Sequence, residues 1–371
     1  MKRNVTNIPL PDFPLWGKIY SKGNLLDFEL EITARCNNNC RHCYINLPAG
    51  DAQAEAKELS LERINAIADE AVSMGALSCL ITGGEPLLRQ DFPDIYLSLK
   101  KKGLLLSVFT NAVLISEKHI RMFKQYPPRE IEVSVYGVTR ETYEKVTRKP
   151  GSFNSFMRGV DMFIKNGIKI RFKAVVMRSN FQEMPLIAEF CRKRTKDYFR
   201  FDPLLHLRFD GDEKRNKEIK AERLTPIEIA RLEKEDPEKF NLMKENCDLL
   251  IQNDAHEDES ILFRCGAGKN SCTIGYDGTF RLCSSLWQKD CIYDLTKGSL
   301  TEAYMKFVPM IRSMKTQSRK FMEKCGRCKL INLCMWCPAI AHLETGKLDE
   351  PVDFFCDVAH ARAEMLKNTP K

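Results

Sequence analysis

No stretch of this 371-residue chain approaches the ~18 uninterrupted apolar residues of a membrane span. The opening residues, Met1-Lys2-Arg3-Asn4-Val5-Thr6-Asn7-Ile8-Pro9, hold no apolar core of the kind a secretion signal needs, so the expectation is a cytoplasmic protein. Histidine is scarce, with six residues, and no Ser/His/Asp set stands out, so no histidine is assigned to chemistry. The net charge is +8, but no Lys/Arg block with interleaved aromatics goes with it, which argues against nucleic acid as a partner. Internal repeats and low-complexity segments are missing too.

Cysteine, by contrast, is abundant, with 15 residues. Without a secretory signal so many thiols argue for metal or cluster binding rather than a disulfide framework. Three of them stand close together in Cys36-Asn37-Asn38-Asn39-Cys40-Arg41-His42-Cys43-Tyr44, just after the apolar run Phe28-Glu29-Leu30-Glu31-Ile32. Three thiolates can hold three corners of a cubane iron–sulfur cluster, whose usual complement is four. The fourth iron is then open to another ligand. A zinc site with His42 as fourth ligand, or three unrelated thiols, are the blander readings.

The pattern along the chain is an alternation of strand and helix. Residues 1–27, rich in Pro and Gly, read as an arm with Trp16 as its anchor, and Leu47–Ala56 as a loop. Ser60 reads as an N-cap before Leu61, Ile64, Ile67, Ala71 and Met74 at helical spacing. Strands are expected at Ser78–Thr82, Leu104–Phe109, Ile131–Val135, Ile168–Val176 and Tyr198–Leu207, and helices at Asp91–Lys102, Glu117–Tyr126, Phe153–Asn166 and Glu183–Arg194. About six such βα units over residues 28–207 imply a parallel sheet, too few for a closed eight-stranded barrel. Residues 208–239 carry 9 Lys/Arg and 10 Asp/Glu and read as a solvated helical linker, taken to extend to residue 260. From 261 to 371 the chain is cysteine-rich and loop-rich.

A second motif, Thr82-Gly83-Gly84-Glu85-Pro86, ends the second expected strand, where open α/β sheets collect their chemistry. Two glycines allow a ligand close to the backbone, and Glu85 offers an acceptor to an ammonium group. Thr110-Asn111 follows the next strand and is a further candidate for the site's lining. In the last third, Cys265, Cys272 and Cys283 flank the hairpin turn Gly275-Tyr276-Asp277-Gly278. Cys325, Cys328, Cys334, Cys337 and Cys356 come after it, and zinc ribbons are the alternative for this group.

The spacing CxxxCxxC followed by an aromatic, with GGEP on the next strand, resembles the signature of radical S-adenosylmethionine (SAM) enzymes. The late cysteines resemble the twin-cluster SPASM domain of radical SAM peptide-modifying enzymes. The resemblance runs from about residue 28 to residue 360 and implies an α/β fold, a partial (β/α)6 TIM-type barrel followed by a small cysteine-rich SPASM domain. It implies three [4Fe-4S] clusters and bound SAM. Cys36, Cys40 and Cys43 would hold the catalytic cluster, whose open iron takes SAM. Tyr44, Gly83, Gly84, Glu85 and Pro86 would belong to the SAM site. Ser134 and Arg148 match the family's Ser and Arg-x-x-Gly-Ser stretches and would meet the ribose or carboxylate of SAM. Tyr136 stands where the family commonly has an acid. Cys265, Cys272, Cys283 and Cys337 would bind one auxiliary cluster, and Cys325, Cys328, Cys334 and Cys356 the other. The Cys334–Cys337 pair is one residue shorter than the family's usual spacing. Eleven thiolates set against three cores of charge about +2 leave the clusters near −5, which brings the assembled chain to about +3. Cys79, Cys191, Cys247 and Cys291 stay outside these sets.

The implied chemistry is reductive cleavage of SAM to a 5′-deoxyadenosyl radical that abstracts hydrogen from a peptide or small protein. The first expectation is a thioether crosslink in a ribosomal peptide. Ser284 follows Cys283 where sulfatase-maturating relatives carry an Asp base, which counts against formylglycine formation. A small-molecule or tetrapyrrole substrate, and a non-catalytic electron-transfer protein, are the other readings. The implied partners are a flavodoxin- or ferredoxin-like electron donor and a separate leader-peptide-binding protein.

Overall fold

The computed structural model describes residues 23–197, 199–246, 251 and 258–367. The expected Trp16 anchor, Tyr198 and Cys247 lie outside the described residues.

Strand β1 (Asp27–Thr33) alternates strictly: Phe28, Leu30 and Ile32 are buried on one face, while Glu29 and Glu31 take the other. After it come two short strands, β2 (Arg35–Cys36) and β3 (Leu47–Pro48), which pair with each other. The body of the sheet continues with β4 (Ser78–Gly83), β5 (Leu105–Thr110), β6 (Glu130–Val135), β7 (Arg171–Val175) and β8 (Arg200–Asp202). The order β1-β4-β5-β6-β7-β8 is parallel throughout, so the six-stranded open barrel expected from the sequence is what forms.

The helices between the strands are α1 (Ala52–Lys57), α2 (Leu61–Ser73), α3 (Phe92–Lys101), α4 (Glu117–Gln125), α5 (Arg140–Thr147), α6 (Ser152–Lys165) and α7 (Met184–Arg194). Their apolar stripes cover the outer face of the sheet. Phe92, Tyr96, Phe123 and Phe163 form a chain of ring contacts, with Tyr96 and Phe123 edge-on at 5.4 Å. Burying each such side chain contributes about 1.5–3 kcal/mol.

Three local expectations need correcting. The stretch Leu47–Ala56 is not a plain loop. Asp51 caps α1 by accepting from Ala54 N at 2.9 Å, and Leu47 N donates to Ala34 O at 2.8 Å. The two ends of the cysteine loop are thereby pinned side by side. The strand expected to run to Leu207 stops at Asp202, because Pro203 has no N–H for the ladder. Leu204, Leu205 and Leu207 are buried beyond it without strand pairing.

The third correction concerns the charged run. It folds into α8 (Glu213–Glu222), α9 (Pro226–Glu235) and α10 (Pro237–Glu245). Thr225 and Glu228 make a full capping box on α9. This segment is not a solvated spacer. Buried Glu233 takes both arms of Arg362 at 2.7 Å, and Arg362 also donates to Leu333 O at 2.7 Å. The reason is that balanced charges placed at helical spacing can pair inward as well as face water.

The C-terminal region joins the same sheet. Strand β9 (Ser271–Ile274) pairs in parallel with β1, and its hairpin partner β10 (Thr279–Arg281) pairs with β11 (Tyr293–Asp294). The turn predicted at Gly275–Gly278 is closed by Gly275 N to Thr279 O at 2.7 Å. Among the helices of the region are α11 (Pro338–Thr345) and α12 (Asp353–Lys367), α12 bringing Arg362 to Glu233 of α9. No helix among the described residues is long and apolar enough to cross a membrane.

Candidate active site

A cavity of about 400 Å³ lies at the C-terminal ends of the parallel strands. The cysteine loop forms one wall. Cys36 and Cys40 are buried and Cys43 is half-buried. The thiols share one neighbourhood. Burial and then the charge of Cys40 push the Cys36 thiol well up, and burial and then Cys43 do the same to Cys40. Thiols raised in this way become thiolates only with a strong countercharge such as a metal. Donors already point at the sulfur: Asn38 N lies 3.4 Å and Asn111 Nδ2 3.7 Å from Cys36 Sγ. The Asn38 side-chain amide is buried in this wall with neither polar atom partnered. Three soft donors lining one cavity, with amide donors at Cys36 and an unsatisfied amide beside them, fit a sulfur-ligated iron cluster with an additional polar ligand.

Gly83 and Gly84 line the cavity, but their glycine character serves the chain's own backbone. Gly84 N donates to Thr33 O at 2.7 Å, and Glu85 N to Arg35 O at 2.9 Å. A Cβ on Gly83 would stand 2.1 Å from Thr33 O, and one on Gly84 2.3 Å from Arg35 O. The two glycines therefore let the tip of β4 press against the entrance of the cysteine loop.

Glu85 corrects the expectation of a direct contact with an ammonium group. Its carboxylate is fully buried and does not belong to the cavity lining. It accepts from Leu87 N at 3.1 Å, Thr110 Oγ1 at 2.8 Å and Asn111 N at 2.7 Å. Burial raises its pKa to about 7 against those three bonds. Glu85 thus ties the tips of β4 and β5 together, and Pro86 opens the short 3₁₀ turn Pro86–Leu88 behind it. Polar groups facing the cavity here come from Thr82–Gly84 and from Thr110–Asn111.

Ser134 and Tyr44 line the cavity. Tyr136 also faces it, with its ring 5.1 Å from that of His42. Arg148 does not reach the cavity. It sits in the left-handed cap of α5 at φ 53°, and its guanidinium pairs with Glu218 of α8 at 2.7 Å. A motif match fixed its place in the chain, but Glu218 on α8 fixed its direction.

Several lumen residues were not singled out from the sequence: Glu29, Glu132, Lys173, Arg200 and His206. The signal was present. Glu130-Ile131-Glu132-Val133 and Arg171-Phe172-Lys173-Ala174 alternate charged with apolar residues, so one face of each strand is charged inside a barrel. Register places Ser134, Lys173 and Arg200 in one row across β6, β7 and β8. Two of the six histidines, His42 and His206, face the same space. Burial lowers the His42 pKa to about 3 and keeps its imidazole neutral.

The opposite wall carries Ser284 and Ser285, directly after Cys283. Fully buried Arg281 is paired with Glu31 of β1 and lies 3.6 Å from the Trp287 ring. Arg281 Nη1 and Trp287 Nε1 both donate to Ser284 O, at 3.2 and 2.8 Å. That carbonyl fixes the segment after Cys283 against the barrel.

The remaining cysteines separate into two groups. In one, burial and then Cys356 and Cys328 raise the Cys325 thiol, and Cys356 raises that of Cys334. Cys265, Cys283 and Cys337 form the second group, since burial and then these neighbours raise the Cys337 thiol. The shortened Cys334–Cys337 spacing thus still brings Cys337 to Cys265 and Cys283. Cys272 is the exception. It stands in register with Phe28, which in turn stands opposite Cys79. Its electrostatic neighbours are Glu29 and Cys79, not the other three thiols. Alternation along β9 turns it to the helix-covered face of the sheet.

The matching family is the Radical SAM superfamily, over residues 30–191. The Fe-coproporphyrin III synthase of Methanosarcina barkeri (strain Fusaro / DSM 804) is 25% identical over 326 residues, 82% of this chain and 80% of that protein. The antilisterial bacteriocin subtilosin biosynthesis protein AlbA of Bacillus subtilis (strain 168) is 24% identical over 312 residues, 83% of this chain and 66% of AlbA. Streptococcus suis SuiB bound to its precursor peptide SuiA shares the fold at a TM-score of 0.67 and 16% identity, over 92% of this chain and 78% of SuiB. The family implies a [4Fe-4S] cluster and S-adenosylmethionine. Residues 30–191 are a radical SAM domain, and a cysteine-rich region follows it.

Proposed function

We propose that this enzyme modifies a peptide, joining a cysteine sulfur to carbon in a thioether crosslink. The observation that carries the reading is the cavity itself, bounded by Cys36, Cys40 and Cys43 on one wall and by Ser284–Ser285, next to Cys283, on the other. A peptide side chain held there lies between two groups of cysteines. In this reading residues 28–207 house the SAM chemistry, 208–260 brace it and 261–371 carry the auxiliary sites. Cys36, Cys40 and Cys43 hold the first cluster. Cys325, Cys328, Cys334 and Cys356 hold a second, and Cys265, Cys283 and Cys337 give three ligands to a third. The SAM-loaded cluster supplies a hydrogen-atom abstractor when bound. The chain's own part is to orient and to exclude water. Backbone groups of Thr82–Gly84 and the Ser134 hydroxyl receive SAM, and Tyr44 packs beside it. A flavodoxin- or ferredoxin-like donor supplies electrons in the cytoplasm, and a separate protein presents the leader.

SuiB binds a precursor peptide and AlbA serves subtilosin biosynthesis, which supports a peptide substrate. Ser284 in place of an acid weighs against formylglycine formation. A second reading, a tetrapyrrole substrate, is favoured by the long match to the coproporphyrin enzyme. It is favoured as well by Lys173 and Arg200, lumen cations without an ion pair among the described residues and suited to carboxylates.

The test is anaerobic incubation with SAM, reductant and a cysteine-containing peptide encoded beside the gene. A mass decrease of about 2 Da, with 5′-deoxyadenosine formed, is expected. Conversion of an iron coproporphyrin instead, with the peptide untouched, overturns the peptide reading.

A further inference from the structure

The charged run that reads as a linker in the sequence grips the cysteine loop from behind. Arg208, almost fully buried, donates through Nη1 to Cys43 O at 3.3 Å, to Asn46 O at 3.2 Å and to Asn46 Oδ1 at 3.1 Å. Its other nitrogens are fixed by Asp210, Nε at 2.9 Å and Nη2 at 2.5 Å. Arg215, on α8, donates through Nη2 to Cys40 O at 2.7 Å and through Nη1 to Asn39 Oδ1 at 2.7 Å. Phe209 N adds a bond to Tyr44 O at 3.2 Å. Helix α8 is itself anchored: Asp212 accepts from Arg215 N at 3.0 Å, and Glu218 holds Arg148.

Two consequences follow from elementary electrostatics. A guanidinium fork on a carbonyl fixes direction as well as distance. The carbonyls of Cys40 and Cys43 are drawn outward, which leaves the thiol side of the loop facing the cavity. The charges behind Cys40 and Cys43 are unequal: Arg208 is offset by its close pair with Asp210, while Arg215 has Glu218 only at 3.9 Å from its Nε. Charge and hydrogen bonds around an iron–sulfur cluster set its reduction potential, and a nearby cation favours the state with one more electron.

We infer that Arg208 and Arg215 are positioning residues of the cysteine loop, which hold its thiols toward the cavity, and that Arg215 raises the reduction potential of the cluster bound there. This rests on the reading that Cys36, Cys40 and Cys43 hold that cluster. The pair is not interchangeable with lysine. A lysine keeps the charge but cannot bridge Cys40 O and Asn39 Oδ1 in one plane.

The experiment compares the wild-type holoenzyme with Arg215→Gln, Arg215→Lys and Arg208→Gln. The SAM-binding cluster is identified as the one whose paramagnetic resonance spectrum changes when SAM is added. Its midpoint potential is then titrated, and hydrogen exchange is measured over residues 36–46. Arg215→Gln is expected to shift the potential to more negative values and to speed exchange in the loop. Arg215→Lys should restore most of the potential but not the loop protection. Arg208→Gln, the more buried change, should speed loop exchange further, and if it does not fold the Arg215 pair decides alone. Unchanged potential and exchange in Arg215→Gln overturn the inference. The underlying reading fails separately if a Cys36/Cys40/Cys43→Ala variant keeps both its iron and its SAM-responsive signal.

Discussion

The cysteine loop after β1 and the cysteines of the C-terminal region reach the same chemistry by different routes. In the loop, three thiols lie within eight residues between two pinned ends, so the chain keeps them near one another before any distant residue acts. In the C-terminal region the groups are assembled from distant segments, and which thiols meet is decided by strand facing and helix packing. Cys337, short in spacing, joins Cys265 and Cys283, while Cys272 faces the helix-covered side of β9. Short-range spacing is thus a strong guide to ligands. Long-range spacing is a guide only after the side-chain direction is known.

The comparison breaks most visibly on iron and turnover. Replacing Cys36, Cys40 and Cys43 together by Ala should abolish SAM cleavage and remove about four of about twelve irons. Replacing Cys325 and Cys328 should also remove about four irons but leave some SAM cleavage, as measured by 5′-deoxyadenosine. Equal loss of cleavage in both variants would erase the distinction between the two regions.

The next effect is on stability. Arg362→Met leaves Glu233 buried with only Lys239 beside it, at 3.0 Å. Unfolding free energy should fall by about 3–5 kcal/mol in denaturant titration. A loss under ~1 kcal/mol would mean that the charged run braces the C-terminal region far less than its packing suggests.

Glu85→Ala comes third. It leaves three donors of β4 and β5 without their acceptor, at about 1–3 kcal/mol for each unsatisfied group. Its effect should be seen in stability and in the order of the strand tips, with iron retained. Weakened SAM binding without any loss of stability would restore the direct contact that burial argues against.

The fold was largely legible because its signals are local. Alternation in β1 and helical spacing from Leu61 to Met74 need no knowledge of the rest of the chain. The pairing of β9 with β1 was not legible, since it joins residues about 240 positions apart and no pattern in β1 names its second neighbour. The early stop of β8 was legible in Pro203 but was outweighed by the leucines that follow it. At the site, the loop cysteines and Ser134 could be placed from motif alone. The inward row of Lys173 and Arg200 was written in the alternation but needed the barrel to give it meaning. Arg148 and Glu85 were misdirected for a shared reason: a motif gives a residue's address, while ion pairs and burial decide where its side chain goes.

Two small effects sharpen the comparison further. Cys272→Ser should leave iron at about twelve per chain, because its thiol lies apart from the other groups. A loss of about four irons would return it to the ligand set. Arg148→Gln should cost no more than about 1 kcal/mol, as a partly exposed ion pair does, and leave SAM affinity unchanged. A tenfold loss of SAM affinity would place its guanidinium in the cavity after all.

The most direct test of the central claim uses a variant in which Cys265, Cys283, Cys337, Cys325, Cys328, Cys334 and Cys356 are all replaced by Ala. One cluster should remain, with about four irons, and its paramagnetic resonance spectrum should shift on addition of SAM. A four-iron signal that ignores SAM, or no iron at all in a folded chain, would contradict the assignment of an open-iron site to Cys36, Cys40 and Cys43.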